Sequence, residues 1–326
     1  MPSTVRISIA LCTFNGSTHL SQQLNSIAAQ TRSPVELVIF DDASTDASAD
    51  VARRFAATAQ FAVSIHTNQR NVGPTINFEH AIAACSGDVI ALCDQDDVWH
   101  PGKLERIAAE FARSPALGFV FTDADVCDEH AEPLGYTLWK SVGFTPTMRE
   151  RLQRDRAFEV SLRQNVVTGA TMAFASRFKP LVLPIDSRWV HDGWIALLIA
   201  ASGAPAAIID EPMIRYRQHA SQAIGALRRS LLQQYRNARD MSRQVFAEHA
   251  QMYQAAYERL TTQRDQFPVA PQVLATLQQK IRHFRTRSEI RLGERGRILS
   301  SVGELVRLRY RRYSMGWKSF AQDLFL

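Results

Sequence analysis

The sequence predicts an α/β protein built on a doubly wound, mostly parallel sheet with helices on both faces, followed by a helical C-terminal extension. Two observations lead there. Short β-rich runs alternate with helix-prone runs at intervals of about 25–30 residues. From Leu227 onward the chain turns helix-prone and rich in Gln, Arg and Ala, with Pro268 and Pro271 dividing it into two arms.

Taken in order, Val5–Leu11, Val35–Phe40, Phe61–His66, Val89–Cys93 and Leu117–Thr122 read as strands. Between them Ser17–Gln30, Thr45–Thr58, Thr75–Cys85 and Gly102–Arg113 read as helices, with Ser17 and Thr45 as N-caps and Pro101 beside the fourth start. Beyond Thr122 the pattern is less regular. Val166–Ala175 reads as a strand, Gly193–Ala201 as a helix, and Ala206–Ile209 and Met213–Tyr216 as two further strands, so the sheet should continue to about residue 220. No internal repeat is evident.

The 326 residues, 46% hydrophobic and 21% charged, suffice for a sizeable core and argue against disorder. The net charge of +6 is unevenly placed: residues 1–225 hold 19 Lys and Arg against 24 Asp and Glu, residues 226–326 hold 19 against 8. A slightly acidic body thus precedes a strongly basic tail. Cys12, Cys85, Cys93 and Cys127 show no CxxC spacing and read as buried thiols of a reducing compartment. The opening MPSTVRISIALCTFNG is too short and too abruptly polar for a secretory signal, and Gly203 and Pro205 interrupt the longest uncharged stretch. The expected location is the cytoplasm.

Three acidic clusters follow strands: Asp41 and Asp42; Asp94, Asp96 and Asp97; and Asp123, Asp125 and Asp128. Solvated turn residues are the ordinary reading of any one of them. In the second, Asp94-Gln95-Asp96 places two carboxylates at i and i+2 directly after an apolar strand, a spacing that can hold a hard cation and leave positions for phosphate oxygens. The first strand–helix turn lacks G-x-G-x-x-G, and no G-x-x-x-x-G-K-[ST] occurs, which disfavours a dehydrogenase or a P-loop NTPase. Asp42 sits where doubly wound folds contact a nucleoside. Gly169 would permit close backbone approach or mark a strand bulge, and Trp99, Trp189 and Trp194 would stack on sugars or belong to the core.

The motifs ALCTFNG, LVIFDDASTD, NFEHAIAACSGDVIALCDQDDVW, VTGATMAF, HDGWIALLIAASG and MIRYRQH follow one another in the order of glycosyltransferase family 2, the inverting enzymes of GT-A fold, which the chain resembles over residues 4–221. HDGWIALL followed by IDEPMIRYRQH resembles the bacterial rhamnosyltransferase branch. YRQH stands where processive synthases carry QxxRW, implying transfer of one sugar at a time.

The resemblance implies Thr13, Asn15, Asp42 and Asp94 beside the nucleotide and Asp96 on Mg²⁺ or Mn²⁺, with Asp97 supporting the loop. It implies Asp192 as general base and His219 as a further metal or diphosphate ligand, a surface histidine being the plain alternative. Gly169 and Trp99 would lie on the sugar and acceptor side. Residues 1–225 would form the catalytic domain and bind a nucleotide-diphosphate sugar donor, dTDP-rhamnose being one candidate; the acceptor would be a saccharide, lipid-linked in one version. Asp192 opens a helix, where a carboxylate also serves as a cap. A sugar nucleotidyltransferase or a non-catalytic scaffold of the same fold are the alternatives, though no Gly/Lys/Arg-rich phosphate loop is found for the former.

In the basic region 226–326, Val306, Tyr310, Tyr313, Trp317, Phe320 and Leu324 recur at three- and four-residue spacing, flanked by Arg307, Arg309, Arg311, Arg312 and Lys318. A single amphipathic helix is expected, meeting the anionic inner membrane surface through 303–326 or packing on the body or in a homodimer. Nucleic acid is the poorer partner, because the basic residues interleave with apolar ones and no motif accompanies them.

Overall fold

A computed structural model describes residues 5–219, 244–293 and 295–325. The chain divides into two compact units. One comprises 1–157, 166–200 and 204–227, the other 158–165, 201–203 and 228–326. The expected boundary at 225/226 lies outside the described residues.

The first unit is a nine-stranded mixed sheet. Its elements are β1 (Ile7–Thr13), α1 (Ser17–Ala28), β2 (Glu36–Asp41), α2 (Ser48–Ala56), β3 (Ala62–Thr67), α3 (Pro74–Ala84), β4 (Val89–Cys93), β5 (Val98–Trp99), α4 (Lys103–Arg113), β6 (Phe119–Cys127), β7 (Pro133–Thr137), α5 (Leu138–Val142), α6 (Pro146–Gln153), β8 (Met172–Ala175), α8 (Lys179–Val182), α9 (His191–Ala201) and β9 (Ala206–Arg217). Helix α7 (Ala157–Arg163) belongs almost wholly to the second unit. The strand order is β3-β2-β1-β4-β8-β6-β9-β5, with β7 paired to β6. β3, β2, β1 and β4 run parallel, while β8 is antiparallel to both its neighbours. Every residue of β1 and β4 is buried, as expected of largely apolar strands covered on both faces. Helix α3 packs on β1 and β2 and buries Phe78, Ala81 and Ile82. All four cysteines are buried free thiols.

Several expectations need correction. β6 runs on to Cys127, so Asp123 and Asp125 lie inside a strand and not in a loop after it; Asp123 Oδ1 accepts the backbone N–H groups of Ala124 and Trp139. The strand expected over Val166–Ala175 shrinks to β8, because Gly169–Thr171 forms a 3₁₀ turn closed by Thr171 N–H on the Thr168 carbonyl. The two expected strands after 205 are one, β9. Its register shifts where Thr122 faces Ile209 but Asp123 faces Pro212, a bulge that accommodates a residue unable to donate to the ladder. Helix α2 starts at Ser48, not Thr45. The Asp46 carboxylate accepts from the backbone N–H of Ser48 and of Ser17, tying two helix starts together. Desolvation is the largest single effect on it and raises it, but these bonds and those of the serine hydroxyls together outweigh it and hold the carboxyl down at about 2.

In the second unit, α10 (Val245–Thr262) and α11 (Pro271–Leu292) pack along each other, with Phe246, Ala250, Tyr253, Ala256 and Leu260 buried on one and Leu277, Ile281 and Phe284 on the other. The single C-terminal helix is not formed. Instead α12 (Arg297–Val306), α13 (Arg309–Tyr313) and α14 (Trp317–Phe325) are separated by left-handed residues, Leu308 at φ 56° and Gly316 at φ 63°. The expected stripe is thereby split, Tyr310 and Tyr313 buried but Val306 and Trp317 exposed. No described helix is long and apolar enough to cross a membrane.

Candidate active site

In a parallel sheet the carboxyl ends of neighbouring strands open onto one edge, where ligands bind. β1, β2 and β4 end there on Thr13, Asp41 and Cys93. The turn after β1 is held by Gln95, the residue between the two aspartates. Its Oε1 accepts the Thr13 hydroxyl at 2.7 Å and Phe14 N–H at 2.8 Å, and its Nε2 donates to the Phe14 carbonyl. A Cβ on Gly16 would stand 2.0 Å from that Oε1 and would push the Gln95 amide off these bonds. Asn15 takes φ 47°; its Oδ1 accepts Thr45 N–H at 2.8 Å, and its own N–H donates to Ser44 Oγ.

Asp42 is buried, and its carboxylate accepts from Asn68 Nδ2, Val72 N–H and Gly73 N–H at 2.8–2.9 Å. The structure therefore gives it a loop-holding role after β3, whatever else its remaining lone pairs accept.

The loop after β4 collects the acids. Burial, then the neighbouring carboxylates of Asp96 and Asp192, push the Asp94 carboxyl up to about 7. Asp192, far away in sequence, is thus within electrostatic reach of Asp94. Asp96 Oδ2 lies 2.8 Å from His219 Nε2, which carries the chain just beyond β9 back onto this loop. Asp97 is fully buried and raised by that burial and by Asp96 and Asp94; its Oδ1 accepts Arg217 N–H. The buried Arg217 guanidinium donates to the Asp96 carbonyl, to the Glu129 carbonyl and to Gln22 Oε1.

Asp192 lies in the first turn of α9, where Oδ1 accepts Gly193 N–H at 2.5 Å and Oδ2 accepts Gly169 N–H at 2.9 Å. Gly169 thus acts through its backbone, and its missing side chain matters too: a Cβ there would meet His191 Nε2 at 2.5 Å. His191 is buried and stacked on Phe78 at 4.0 Å between ring centroids. Burial pushes its pKa down, and among the described residues neither ring nitrogen has a hydrogen-bond partner.

Trp99 is not a platform for a sugar. It is 3% exposed, and the Lys103 ammonium sits 3.6 Å from its ring centroid. Trp189 and Trp194 are buried as well. Lys103 donates to the Ala170 carbonyl, and burial outweighs the pull of Cys93, Asp97 and Asp94 to bring its pKa down to about 7. Sequence reasoning missed Gln95, Lys103, His191 and Arg217. Only the polar residue inside the D-Q-D run and the charged residue ending an apolar strand were signals for any of them. A separate cavity of about 410 Å³ lies beside Asp123, Trp139, Lys140, Phe144 and Arg149, and none of the acidic loop residues lines it.

Among the described residues no three His, Cys, Asp or Glu side chains converge as a ready-made metal site. The preformed pair is Asp96 and His219, beside a carboxylate that its neighbours repel. Such a donor set fits a hard divalent cation that completes its shell with water and ligand phosphates.

The fold is of GT-A type with a helical C-terminal extension. Across 98% of this chain and 81% of the other, it superposes with a TM-score of 0.57 at 14% identity on TarS 1–349 of S. aureus, solved in complex with UDP-GlcNAc. A mannosyltransferase of Pyrobaculum calidifontis, solved with GDP-Man and Mn²⁺, gives a TM-score of 0.51 at 17% identity over 99% of this chain and 87% of that one. Residues 8–164 match the model of Glycosyl transferase family 2. An uncharacterized glycosyltransferase of Nostoc sp. is 31% identical over 221 residues, covering 66% of this chain and 65% of the relative. An uncharacterized protein of Mycobacterium tuberculosis is 29% identical over 216 residues, covering 66% and 59%. The chain thus spans less than two thirds of the length of these relatives.

Proposed function

We propose that the chain is an inverting glycosyltransferase that moves one sugar from a nucleotide-diphosphate donor to a saccharide acceptor, with residues 1–225 as the catalytic domain. The observation that carries this reading is the meeting of Asp192 with the acidic loop after β4: a carboxylate fixed by Gly169 N–H beside a second carboxylate cluster. Two carboxylate stations suit a reaction with two charge problems. The acceptor hydroxyl oxygen attacks the anomeric carbon and gives its proton to Asp192, while the carbon–oxygen bond to the diphosphate breaks and its electron pair stays on the phosphate. Attack from the side opposite the leaving group inverts the anomeric centre.

Asp96 and His219 would hold Mg²⁺ or Mn²⁺, which when bound offsets the charge that develops on the diphosphate. Thr13, Asn15, Asp42 and Asp94 line the nucleotide side, and the Gly169 turn lies on the acceptor side. Within this reading the donor is dTDP-rhamnose and the product part of a bacterial surface polysaccharide, its acceptor lipid-linked at the inner face of the cytoplasmic membrane. The donors in the two structural neighbours, UDP-GlcNAc and GDP-Man, are the first competitors to test against it.

The test is a thermal-shift panel of nucleotide sugars with and without Mn²⁺, followed by transfer assays on the donor that shifts the protein. One donor should bind in a metal-dependent way, and Asp192→Asn should bind it and fail to transfer it. Near-wild-type transfer by a folded Asp192→Asn protein overturns the base assignment.

A further inference from the structure

Two of the three short C-terminal helices are built inside out. In α12 the buried residues are Ser301 and Glu304, whereas Ile298, Leu299, Val302 and Val306 point to solvent, Leu299 and Val306 being 85% and 75% exposed. At 3.6 residues per turn those four fall within an arc of roughly 100°. In α14 the buried residues are Ser319 and Asp323, and Trp317, Ala321 and Phe325 form an exposed i, i+4, i+8 row. Leu308 and Met315, in the connections, are exposed too.

The two inward acids are held by hydrogen-bonded partners. Glu304 accepts from Arg309 Nη1 at 2.6 Å and pairs with His283 Nδ1 at 2.6 Å. Asp323 accepts from Arg287 through two bonds of 2.6 and 2.9 Å and from the Tyr310 hydroxyl at 2.7 Å. A helix whose outer side met only water would carry the opposite polarity, and exposed apolar stripes of this kind mark an interaction surface.

Charge decides what it meets. Glu304 and Asp323 are the only acids in 295–325, and both are buried in those pairs. Arg297, Arg307, Arg311, Arg312 and Lys318 remain exposed, with no salt bridge among the described residues. The surface therefore offers apolar side chains and positive charge alone. A second copy would bring the same cations against it, whereas an anionic lipid surface supplies both the hydrocarbon and the counter-charge.

We infer that α12–α14 form a membrane-docking surface. Ile298, Leu299, Val302, Val306, Trp317 and Phe325 enter the headgroup boundary of an anionic bilayer, and the surrounding arginines and lysine bind lipid phosphates. This deepens the membrane part of the function proposed above. It rests on that reading only for where the acceptor lies, since docking needs no sugar chemistry.

The experiment is co-sedimentation of the full chain with vesicles of phosphatidylcholine alone or mixed with phosphatidylglycerol, at low and high salt. Wild type should bind the anionic vesicles and release in salt. Arg311→Gln with Arg312→Gln should lower partitioning roughly 25-fold, at about fivefold per cation. Leu299→Asp with Val306→Asp, at exposed positions that leave the fold intact by circular dichroism, should abolish it. Equal sedimentation of wild type and both variants, or none by wild type, overturns the proposal. A dimer in sedimentation velocity that Leu299→Asp with Val306→Asp converts to monomer, without vesicle binding by wild type, overturns it in favour of a second copy. Donor thermal shifts on the same preparations separate the two readings: vesicle binding without any donor shift leaves this surface standing and fails the transferase.

Discussion

His219 Nε2 lies 2.8 Å from Asp96 Oδ2, a contact across 123 positions of sequence that brings the end of the last strand onto the acidic loop. Two residues earlier, buried Arg217 ties the same segment to the Asp96 carbonyl. If this pair receives the divalent cation, His219→Ala should lower transfer by roughly 10- to 100-fold. Asp96→Ala should remove the Mn²⁺-dependent part of donor binding, read by thermal shift with and without EDTA. Indifference of both variants to Mn²⁺ would refute a metal on this pair.

Arg217 itself should act on stability. Arg217→Met strands the carbonyls of Asp96 and Glu129 and the Gln22 amide oxygen, all of which now accept from the guanidinium. The expected cost is about 3 kcal/mol, from the desolvation of acceptors left unpaired, measured by urea denaturation.

Asp192→Asn keeps the size of the side chain but cannot take a proton, and its single amide oxygen can accept only one of the two N–H groups, of Gly193 and Gly169, that the carboxylate now accepts. Turnover should fall by roughly 10²–10⁴-fold while the donor KM stays near wild type. A large rise in KM with unchanged turnover would instead mark Asp192 as a binding residue.

Gly169→Ala tests the contact with His191. The new Cβ has no room while the imidazole is held on Phe78, so the variant should lose about 1–3 kcal/mol and some of the Asp192 orientation with it. Adding His191→Ala frees the space, and the double variant should recover part of the loss as a positive coupling in a double-mutant cycle. Additive losses would show that His191 is not the obstacle.

Asp94 sets a pH signature for the metal-free protein. Its folded pKa of about 7 stands above the ordinary value near 4, so the folded state holds a proton that the unfolded state has released. Its contribution is present below about pH 4 and lost as pH rises toward 7. In EDTA, the melting temperature of wild type should fall across that window relative to Asp94→Asn. Parallel curves for the two proteins would mean that Asp94 is not raised.

The first half of the sheet was legible because parallel strands read as apolar blocks and their helices as periodic ones. β1, β2 and β4 and helices α1 to α4 lie within a few residues of expectation. β8 and β9 were harder. A 3₁₀ turn at Gly169–Thr171 and a bulge at Pro212 depend on what each segment pairs with, which local pattern does not record. The acidic loop was legible as a motif, but Gln95, Lys103, His191 and Arg217 were not. A buried polar residue is tolerated only where its partner waits, and these partners lie far away in sequence.

Periodicity and composition were enough to specify an α/β sheet, its acidic strand ends and a basic helical tail, since each of these follows from which side chains avoid water over a few consecutive residues. Folding in three dimensions settled the rest. It brought Asp192 within electrostatic reach of Asp94, laid His219 on Asp96, covered Trp99 with Lys103, and turned α12 and α14 with their acids inward and their apolar rows outward. The reason is that burial is a property of one segment, whereas a hydrogen bond, a repulsion or an exposed face belongs to whatever lies across from it.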